Sequence, residues 1–164
     1  MTTITGNWGE AIVKLTWTAT DVTPEHRLVT SVHGLCFYEG KVMLVDLHNR
    51  GWDFPGGHIE SGESSIACLQ REAMEEGYVS GDCRMLGYIA VDHEKNKMWD
   101  EKSKYPKLGY QLFYRMNIET LHPFLGEHES KKRILIPLHE ASSLHHEWNP
   151  LFTEILEQAA KVTT

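Results

Sequence analysis

The sequence predicts a mixed fold of strands and helices, of the α/β (α+β) class. Several short segments are rich in β-branched and aromatic residues and are separated by turn residues, which is typical of strands. One central segment has the periodicity of a helix, and a second helix with a clear start signal ends the chain. A chain of 164 residues is long enough for a hydrophobic core, so we expect a single domain over residues 1–164.

The strands follow one another along most of the chain. Residues 1–9 are polar, and we expect them to be loose. Glu39-Gly40 predicts a tight hairpin turn, and Pro55-Gly56-Gly57 is expected to turn the chain again. Gly34 is expected to bend the strand that contains it. The predicted strands are residues 11–17, 28–38, 41–46, 84–92 and 109–116.

Two helices complete the predicted fold. Ser64 or Ser65 is the expected N-cap of the central helix. The apolar stripe of this helix is predicted to consist of Ile66, Leu69, Ala73 and Met74. Asn149-Pro150 has the N-cap and N1 residues of a helix start, and the apolar residues after it predict a buried face for the last helix.

Composition limits the location and the partners of the chain. The net charge is −7 and no block of Lys or Arg occurs, so no stable nucleic-acid partner is expected. No stretch approaches the roughly 18 apolar residues of a spanning helix, so no membrane association is expected. Three cysteines without a CxxC pair predict reduced thiols. We therefore expect a cytoplasmic protein that binds a small molecule, with a homodimer left open.

Three carboxylates are predicted to share one face of the central helix. Glu72, Glu75 and Glu76 are spaced i, i+3, i+4, which places them one turn apart. Like charges at this spacing destabilise a bare helix, so they either solvate a surface or hold cations. Hard divalent ions prefer carboxylate oxygens, with water completing the shell. The helix is therefore a candidate site for Mg²⁺ or Mn²⁺.

From Gly57 onward the sequence resembles the Nudix box of the MutT-like pyrophosphohydrolases. That pattern is glycine, five residues, glutamate, seven residues, Arg-Glu, a hydrophobic residue, any residue, Glu-Glu, any residue, glycine and a hydrophobic residue. Every charged position is filled, by Glu63, Arg71, Glu72, Glu75 and Glu76. We call residues 57–78 the box. The resemblance implies an α/β/α sandwich with a mixed β-sheet between helices.

The resemblance also implies residue roles and a reaction. Magnesium or manganese is expected on the Gly56 carbonyl and on Glu72, Glu75 and Glu76, with Glu63 held by Arg71 in support. Glu72 is alternatively the group that orients or deprotonates water. A glutamate before the last strand adds a metal ligand or a general base in many members. Glu129 is the first candidate and Glu127 the second, and a solvated acidic loop is an equal alternative.

The box departs from the family at one position. Tyr78 stands where the family has its helix-ending glycine, and Gly77 comes one residue early. We expect the helix to end one residue sooner, with Gly77 in the left-handed C′ conformation. The alternative, Tyr78 at positive φ, costs roughly 1–2 kcal/mol.

Residues 93–108 form a long charged segment with embedded aromatic residues. It is either a substrate-recognition loop or a solvated hairpin tip. As a recognition loop, it would use Trp99 or Tyr105 to stack on a base, and Lys102, Lys104 or Lys107 to meet phosphate. His145-His146 is predicted to be a surface pair rather than a metal site.

The implied activity is hydrolysis of a nucleoside diphosphate linked to another group. The side motifs associated with ADP-ribose, diadenosine polyphosphate, NADH and coenzyme A substrates are absent, which favours a nucleoside triphosphate or a related nucleotide. The alternatives are an ADP-ribose or dinucleotide pyrophosphatase and a non-catalytic nucleotide-binding module. A further alternative, isopentenyl diphosphate isomerisation, needs a catalytic cysteine that the sequence does not place.

Overall fold

The computed structural model describes residues 1–8 and 11–162. Within these ranges a single sheet is flanked by helices, and short 3₁₀ turns lie at His26–Leu28 and Leu138–Glu140. The strands are β1 Thr2–Trp8, β2 Ala11–Ala19, β3 Val29–Tyr38, β4 Lys41–Leu47, β5 Gly51–Asp53, β6 Gly56–His58, β7 Val79–Asp92, β8 Leu108–Leu121 and β9 Ser130–Ile136. The helices are α1 Ser65–Glu72, continued by a wider π turn over Ala73–Gly77, α2 Ala141–Leu144 and α3 Pro150–Lys161.

The sheet is mixed and has the order β1-β2-β7-β8-β3-β4-β5, with β6 added beside β3 and β9 beside β4. The pairing of β3 with β8 is parallel, and the other pairings are antiparallel. Neighbouring residues of β3 face opposite sides of the sheet. Leu35 packs in a core with Ile155 of α3, whereas Cys36 packs in a second core with Leu69 of α1. Helices thus cover both faces, and the expected α/β/α layering is confirmed.

The N-terminal prediction was wrong for the described residues. Thr2–Trp8 is a strand that pairs with β2 along its whole length and forms an edge of the sheet. Its sequence is too polar to show strand alternation. The pairing instead follows from β2, whose outer backbone groups need hydrogen-bond partners. Position 9 of the predicted loose segment lies outside the described residues.

The two predicted turns had different outcomes. Glu39 and Gly40 have φ of 50° and 78°, so the tight β3–β4 turn is confirmed. Gly56–His58 is a short strand on β3 rather than a turn. A Cβ on Gly56 would lie 2.5 Å from the Val32 carbonyl oxygen, so only glycine allows the two backbones to approach this closely.

The central helix begins as predicted but buries a different face. Its Ser64 N-cap accepts a hydrogen bond from the Ala67 N–H at 3.1 Å. Leu69 and Ala73 are fully buried, but Ile66 and Met74 are 44% and 39% exposed, so these two were assigned to the stripe wrongly. The buried face instead includes Glu72 and Glu76. Hydrophobicity alone could not reveal a helix that turns two carboxylates towards the sheet.

Replacing the N-cap of this helix is expected to destabilise the protein moderately. Ser64→Ala removes the acceptor for the Ala67 N–H and should lower the free energy of unfolding by about 1 kcal/mol. Urea unfolding monitored by circular dichroism measures the change. Ser143→Ala, at an exposed position of α2, is the control and should change stability by less than about 0.5 kcal/mol. Equal effects of the two substitutions would contradict the capping role.

Candidate active site

The exit of the box helix differs from the prediction. Gly77 stays in the helical turn, and Tyr78 adopts the left-handed conformation with φ 53° and ψ 45°. A Cβ on Gly77 would lie 2.4 Å from Cε of Met43, so a larger residue there would require the end of this buried β4 side chain to shift. The expected left-handed Gly77 was therefore wrong, and the alternative with Tyr78 at positive φ is correct.

Glu76 is the most deeply buried carboxylate of the box, with 2% of its surface exposed. Its Oε1 accepts a hydrogen bond from the Gly56 N–H at 2.8 Å. The pKa of Glu76 is raised to about 8, chiefly by burial and also by the charges of Glu72, Glu129 and Asp53, while the hydrogen bond from the Gly56 N–H lowers it. A buried carboxylate surrounded by like charges is the electrostatic setting in which a divalent cation binds favourably.

Glu72 lies one turn earlier and packs on the backbone of β6. A Cβ added to Gly57 would lie 2.5 Å from Oε1 of Glu72, so this glycine leaves the space that the carboxylate occupies. The same oxygen accepts a hydrogen bond from Arg71 Nη1 at 2.9 Å. Burial raises the pKa of Glu72, the Arg71 contact lowers it, and the Glu75 and Glu129 charges raise it. Glu72 thus favours its protonated form more than an exposed glutamate does.

Arg71 connects four acidic side chains of the box, the most distant being Glu60 at 3.7 Å. It binds Glu63 with two arms, Nε to Oε2 at 2.7 Å and Nη2 to Oε1 at 3.0 Å. It also reaches Glu72 at 2.9 Å and Glu75 at 3.5 Å. The hydrogen bond from Arg71 lowers the pKa of Glu63 to about 2. A two-armed guanidinium–carboxylate pair fixes geometry as well as charge, unlike an isolated surface pair.

The loop before β9 brings a further carboxylate to the site. Glu129 accepts a backbone hydrogen bond from the His48 N–H at 3.0 Å, which fixes the chain there. The hydroxyl of the neighbouring Ser130 donates to the Glu76 carbonyl, and the charge of Glu129 raises the pKa of both Glu72 and Glu76. Glu127, the other candidate, uses its backbone N–H to bind the Tyr78 hydroxyl. The loop itself carries no helical or strand periodicity, so only the structure brings Glu129 to this site.

These residues form an acidic centre that we define as Gly56, Glu72, Glu75, Glu76 and Glu129. Glu129 is its most open member, and Glu75 is partly buried, with 40% of its side chain exposed. The donor set consists of carboxylate oxygens and a backbone carbonyl, which suits Mg²⁺ or Mn²⁺ rather than a softer metal. Raised pKa values at Glu72 and Glu76 agree with this, because buried like charges need a counter-cation to ionise together.

A cavity of about 400 Å³ is lined in part by residues that directly precede the acidic centre in the sequence. Asp53 and Phe54, the two residues before Pro55-Gly56, belong to its wall. This volume falls within the range of small-molecule sites. The aromatic side chains in its lining are Trp8, Phe54, Phe113 and Phe152, together with the imidazole of His33.

Asp53 and the side chains that contact it form the polar end of this cavity. His145 Nε2 lies 2.9 Å from Oδ1, and His146 Nε2 lies 3.3 Å from Oδ2. His145 is buried whereas His146 is exposed, so the prediction of a surface pair was wrong for His145 only. The three side chains lie close enough together to hold a metal ion. However, Arg50 Nη1 already contacts Oδ2 at 3.1 Å, and this fixed cation favours a hydrogen-bonding role instead.

The segment 93–108 connects β7 and β8 as a hairpin loop. The indole N–H of Trp99 donates to the Tyr105 carbonyl at 3.0 Å, and Lys104 lies over the Tyr105 ring at 5.6 Å. Tyr105 lines a second, smaller cavity of about 140 Å³, and its ring centre is 6.0 Å from that of His58. The segment is thus a hairpin loop that also borders a cavity, so it combines features of the solvated hairpin tip and of the recognition loop. The structure places Trp99, Tyr105 and Lys104 beside this smaller cavity, not beside Asp53.

No helix within residues 1–8 and 11–162 is long and apolar enough to cross a membrane.

Comparison with known structures supports the fold. The Bacillus subtilis pyrophosphohydrolase BsRppH, in mutant form, is 22% identical with a TM-score of 0.72, over 96% of this chain and 95% of that one. The Bacillus halodurans MutT protein is 18% identical with a TM-score of 0.59, over 80% and 82% of the two chains. The NUDIX domain of Shewanella oneidensis NrtR, solved with ADP ribose, is 18% identical with a TM-score of 0.58, over 80% and 85%.

A search of curated protein sequences found no match. A model of the NUDIX domain, however, matches residues 27–158. The match begins just before β3 and ends within α3, so it includes the acidic centre and most of the sheet. The chain therefore belongs to the NUDIX family.

Proposed function

We propose that the protein is a Mg²⁺- or Mn²⁺-dependent pyrophosphohydrolase whose substrate is a nucleoside triphosphate or a related nucleotide. The observation that carries this proposal is the acidic centre beside a cavity of nucleoside size. Glu76 and Glu72 are buried there and interact with the Glu129 charge. His33, which pairs with Gly56 of the centre, lies in the cavity wall with Asp53 and Phe54. A nucleotide spanning both sites would place its phosphates over the carboxylates.

The side chains of the acidic centre have two proposed roles, which are binding of the metal ion and transfer of a proton. Glu76, Glu75 and Glu129 are the proposed anionic ligands, together with the Gly56 carbonyl. When bound, the metal neutralises phosphate oxygens and acidifies a water for in-line attack on phosphorus. Glu72 is the proposed proton acceptor or orienting group, since its raised pKa makes it a better base at neutral pH than an exposed glutamate. Arg71 holds Glu63 and Glu72 in place.

The base of the nucleotide is proposed to enter the larger cavity. Phe54, Phe113 and Phe152 offer aromatic surfaces for stacking, and the ionised Asp53 offers hydrogen-bond acceptors. Burial by itself would raise the pKa of Asp53, but the hydrogen bond and charge of His145 lower it well below its usual range. The smaller cavity beside Tyr105 is below the usual size of a nucleoside site, so Trp99, Tyr105 and Lys104 are proposed to contact only peripheral parts of the substrate.

Product release from a substrate panel tests the proposal. The panel contains canonical and oxidised nucleoside triphosphates, ADP-ribose, NADH, diadenosine polyphosphates, and capped or triphosphorylated RNA. We expect pyrophosphate and a mononucleotide from a triphosphate, only when Mg²⁺ or Mn²⁺ is added. Hydrolysis of ADP-ribose instead would favour the alternative substrate class. Nucleotide binding without turnover of any compound would identify a non-catalytic module and overturn the proposal. Size-exclusion chromatography of the same preparation tests the homodimer.

A further inference from the structure

Tyr78 connects the end of the box helix to the loop that carries Glu129. It is 5% exposed, and its hydroxyl accepts a hydrogen bond from the Glu127 N–H at 2.9 Å. Its ring packs edge-on against Phe124 at 5.0 Å and lies 6.3 Å from the His128 ring. A single side chain of the helix exit thus contacts the loop at several points just before Glu129.

The backbone around Tyr78 is tied to the same loop on both sides. The Tyr78 carbonyl accepts a hydrogen bond from the His122 N–H at 2.8 Å, where the loop begins. The Ser130 hydroxyl donates to the Glu76 carbonyl, where the loop ends. Arg133 donates to the carbonyls of Gly77 and Tyr78 at 2.9 and 3.1 Å, which satisfies the helix terminus. Glu129 therefore lies between two anchor points that both belong to the helix exit.

The left-handed conformation is what directs the Tyr78 side chain to this loop. A glycine in the same conformation would end the helix at no steric cost but would supply neither ring nor hydroxyl. A tyrosine there strains the backbone, because its Cβ comes close to the following carbonyl oxygen. Burial of the ring and the hydroxyl contact offset this cost, and they order the loop as a result.

We infer that Tyr78 is a positioning residue that fixes Glu129 in the acidic centre and thereby strengthens binding of the divalent cation. This inference rests on the metal-dependent hydrolase proposed above. Tyr78 acts through the backbone of residues 124–129 and does not itself contact the substrate. Removal of its hydroxyl frees the Glu127 N–H and loosens the chain two residues before Glu129. The carboxylate then spends less time at the position where it binds the ion.

A double-mutant cycle on metal binding tests the inference. Binding of Mn²⁺ is measured from the electron paramagnetic resonance signal of the free ion, well below the unfolding temperature of every variant. We expect Tyr78→Phe, which keeps the ring, to weaken Mn²⁺ binding by about tenfold. Glu129→Gln should also weaken it, and adding Tyr78→Phe in the Glu129→Gln background should cause no further loss. Tyr88→Phe, whose ring packs on Tyr110 in β7 and β8, is the matched control and should bind as the parent does.

Two results would overturn the inference. Unchanged Mn²⁺ binding by Tyr78→Phe would show that the hydroxyl does not act on the acidic centre. The same fold loss in both backgrounds would show that Tyr78 does not act through Glu129. Because the measurement is of binding, it is independent of turnover. Normal Mn²⁺ binding by the parent without hydrolysis of any panel substrate would refute the proposed function instead.

Discussion

The Glu76→Gln variant is expected to lose hydrolytic activity by about 10³-fold or more, while its metal-free form becomes more stable than the parent. The activity falls because glutamine cannot supply the anionic oxygen that the cation needs, and a bound metal contributes several kcal/mol to the transition state. The stability rises because the parent buries a carboxylate among like charges. The amide oxygen of glutamine can still accept the Gly56 N–H.

The stability difference should depend on pH in a defined direction. The pKa of Glu76 is raised from 4.5 to about 8 in the folded protein, so the folded state keeps a proton that the unfolded state releases. Parent stability from this group is therefore greatest below pH 4.5 and is lost as pH rises towards 8. Glutamine does not titrate. The advantage of Glu76→Gln should grow across this window to a few kcal/mol and then level off.

Denaturant unfolding at a series of pH values, with chelator and with Mn²⁺, measures this effect. Saturating Mn²⁺ should reverse the order of stability, because the cation binds and stabilises only the protein with the ionised carboxylate. A constant stability difference between pH 5 and 8 would contradict the raised pKa. Retention of activity by Glu76→Gln would show that Glu76 is not needed as a ligand of the metal. Glu157→Gln, on α3, is the control and should leave activity and its pH dependence unchanged.

The Gly57→Ala variant is expected to lose activity by about 10–100-fold with little change in stability. The new methyl group would lie 2.5 Å from Oε1 of Glu72, so the carboxylate must move away from it. This movement is possible because the end of the Glu72 side chain is flexible and partly accessible. It would separate Glu72 from Arg71 and from the position where a water is activated. The free energy of unfolding should fall by no more than about 1 kcal/mol.

Gly56→Ala is the comparison variant for Gly57→Ala, because it is expected to affect stability rather than the position of Glu72. The Cβ of Gly56→Ala would lie 2.5 Å from the Val32 carbonyl oxygen, which is backbone and cannot swing away. We expect this variant to lose about 2 kcal/mol or more of stability because β6 must separate from β3. Measuring kcat and urea unfolding for both variants separates the two effects. Full activity of Gly57→Ala would show that the position of Glu72 is not critical for hydrolysis.

Local patterns were sufficient for much of the fold. Runs of β-branched and aromatic residues between turns identified strands β2, β3, β4, β7 and β8, and the Ser64 and Asn149 caps located the starts of two helices. These signals depend on residues close together in the chain. The spacing from Gly57 to Glu76 identified the family for a similar reason. A turn followed by one helix presents the same carboxylates whatever sheet it packs on.

Long-range packing decided what the sequence could not. The left-handed Tyr78 is held by contacts of its hydroxyl with the Glu127 N–H, 49 positions further along the chain, and of its ring with Phe124. Asp53 and His145 meet across 92 positions of the chain, so the polar end of the larger cavity has no local signal. The sequence by itself determined the acidic residues, the family and most of the strands, since these are local. Only the tertiary structure determined which carboxylates are buried and what lies opposite them, because burial and pKa depend on neighbours that the fold brings together.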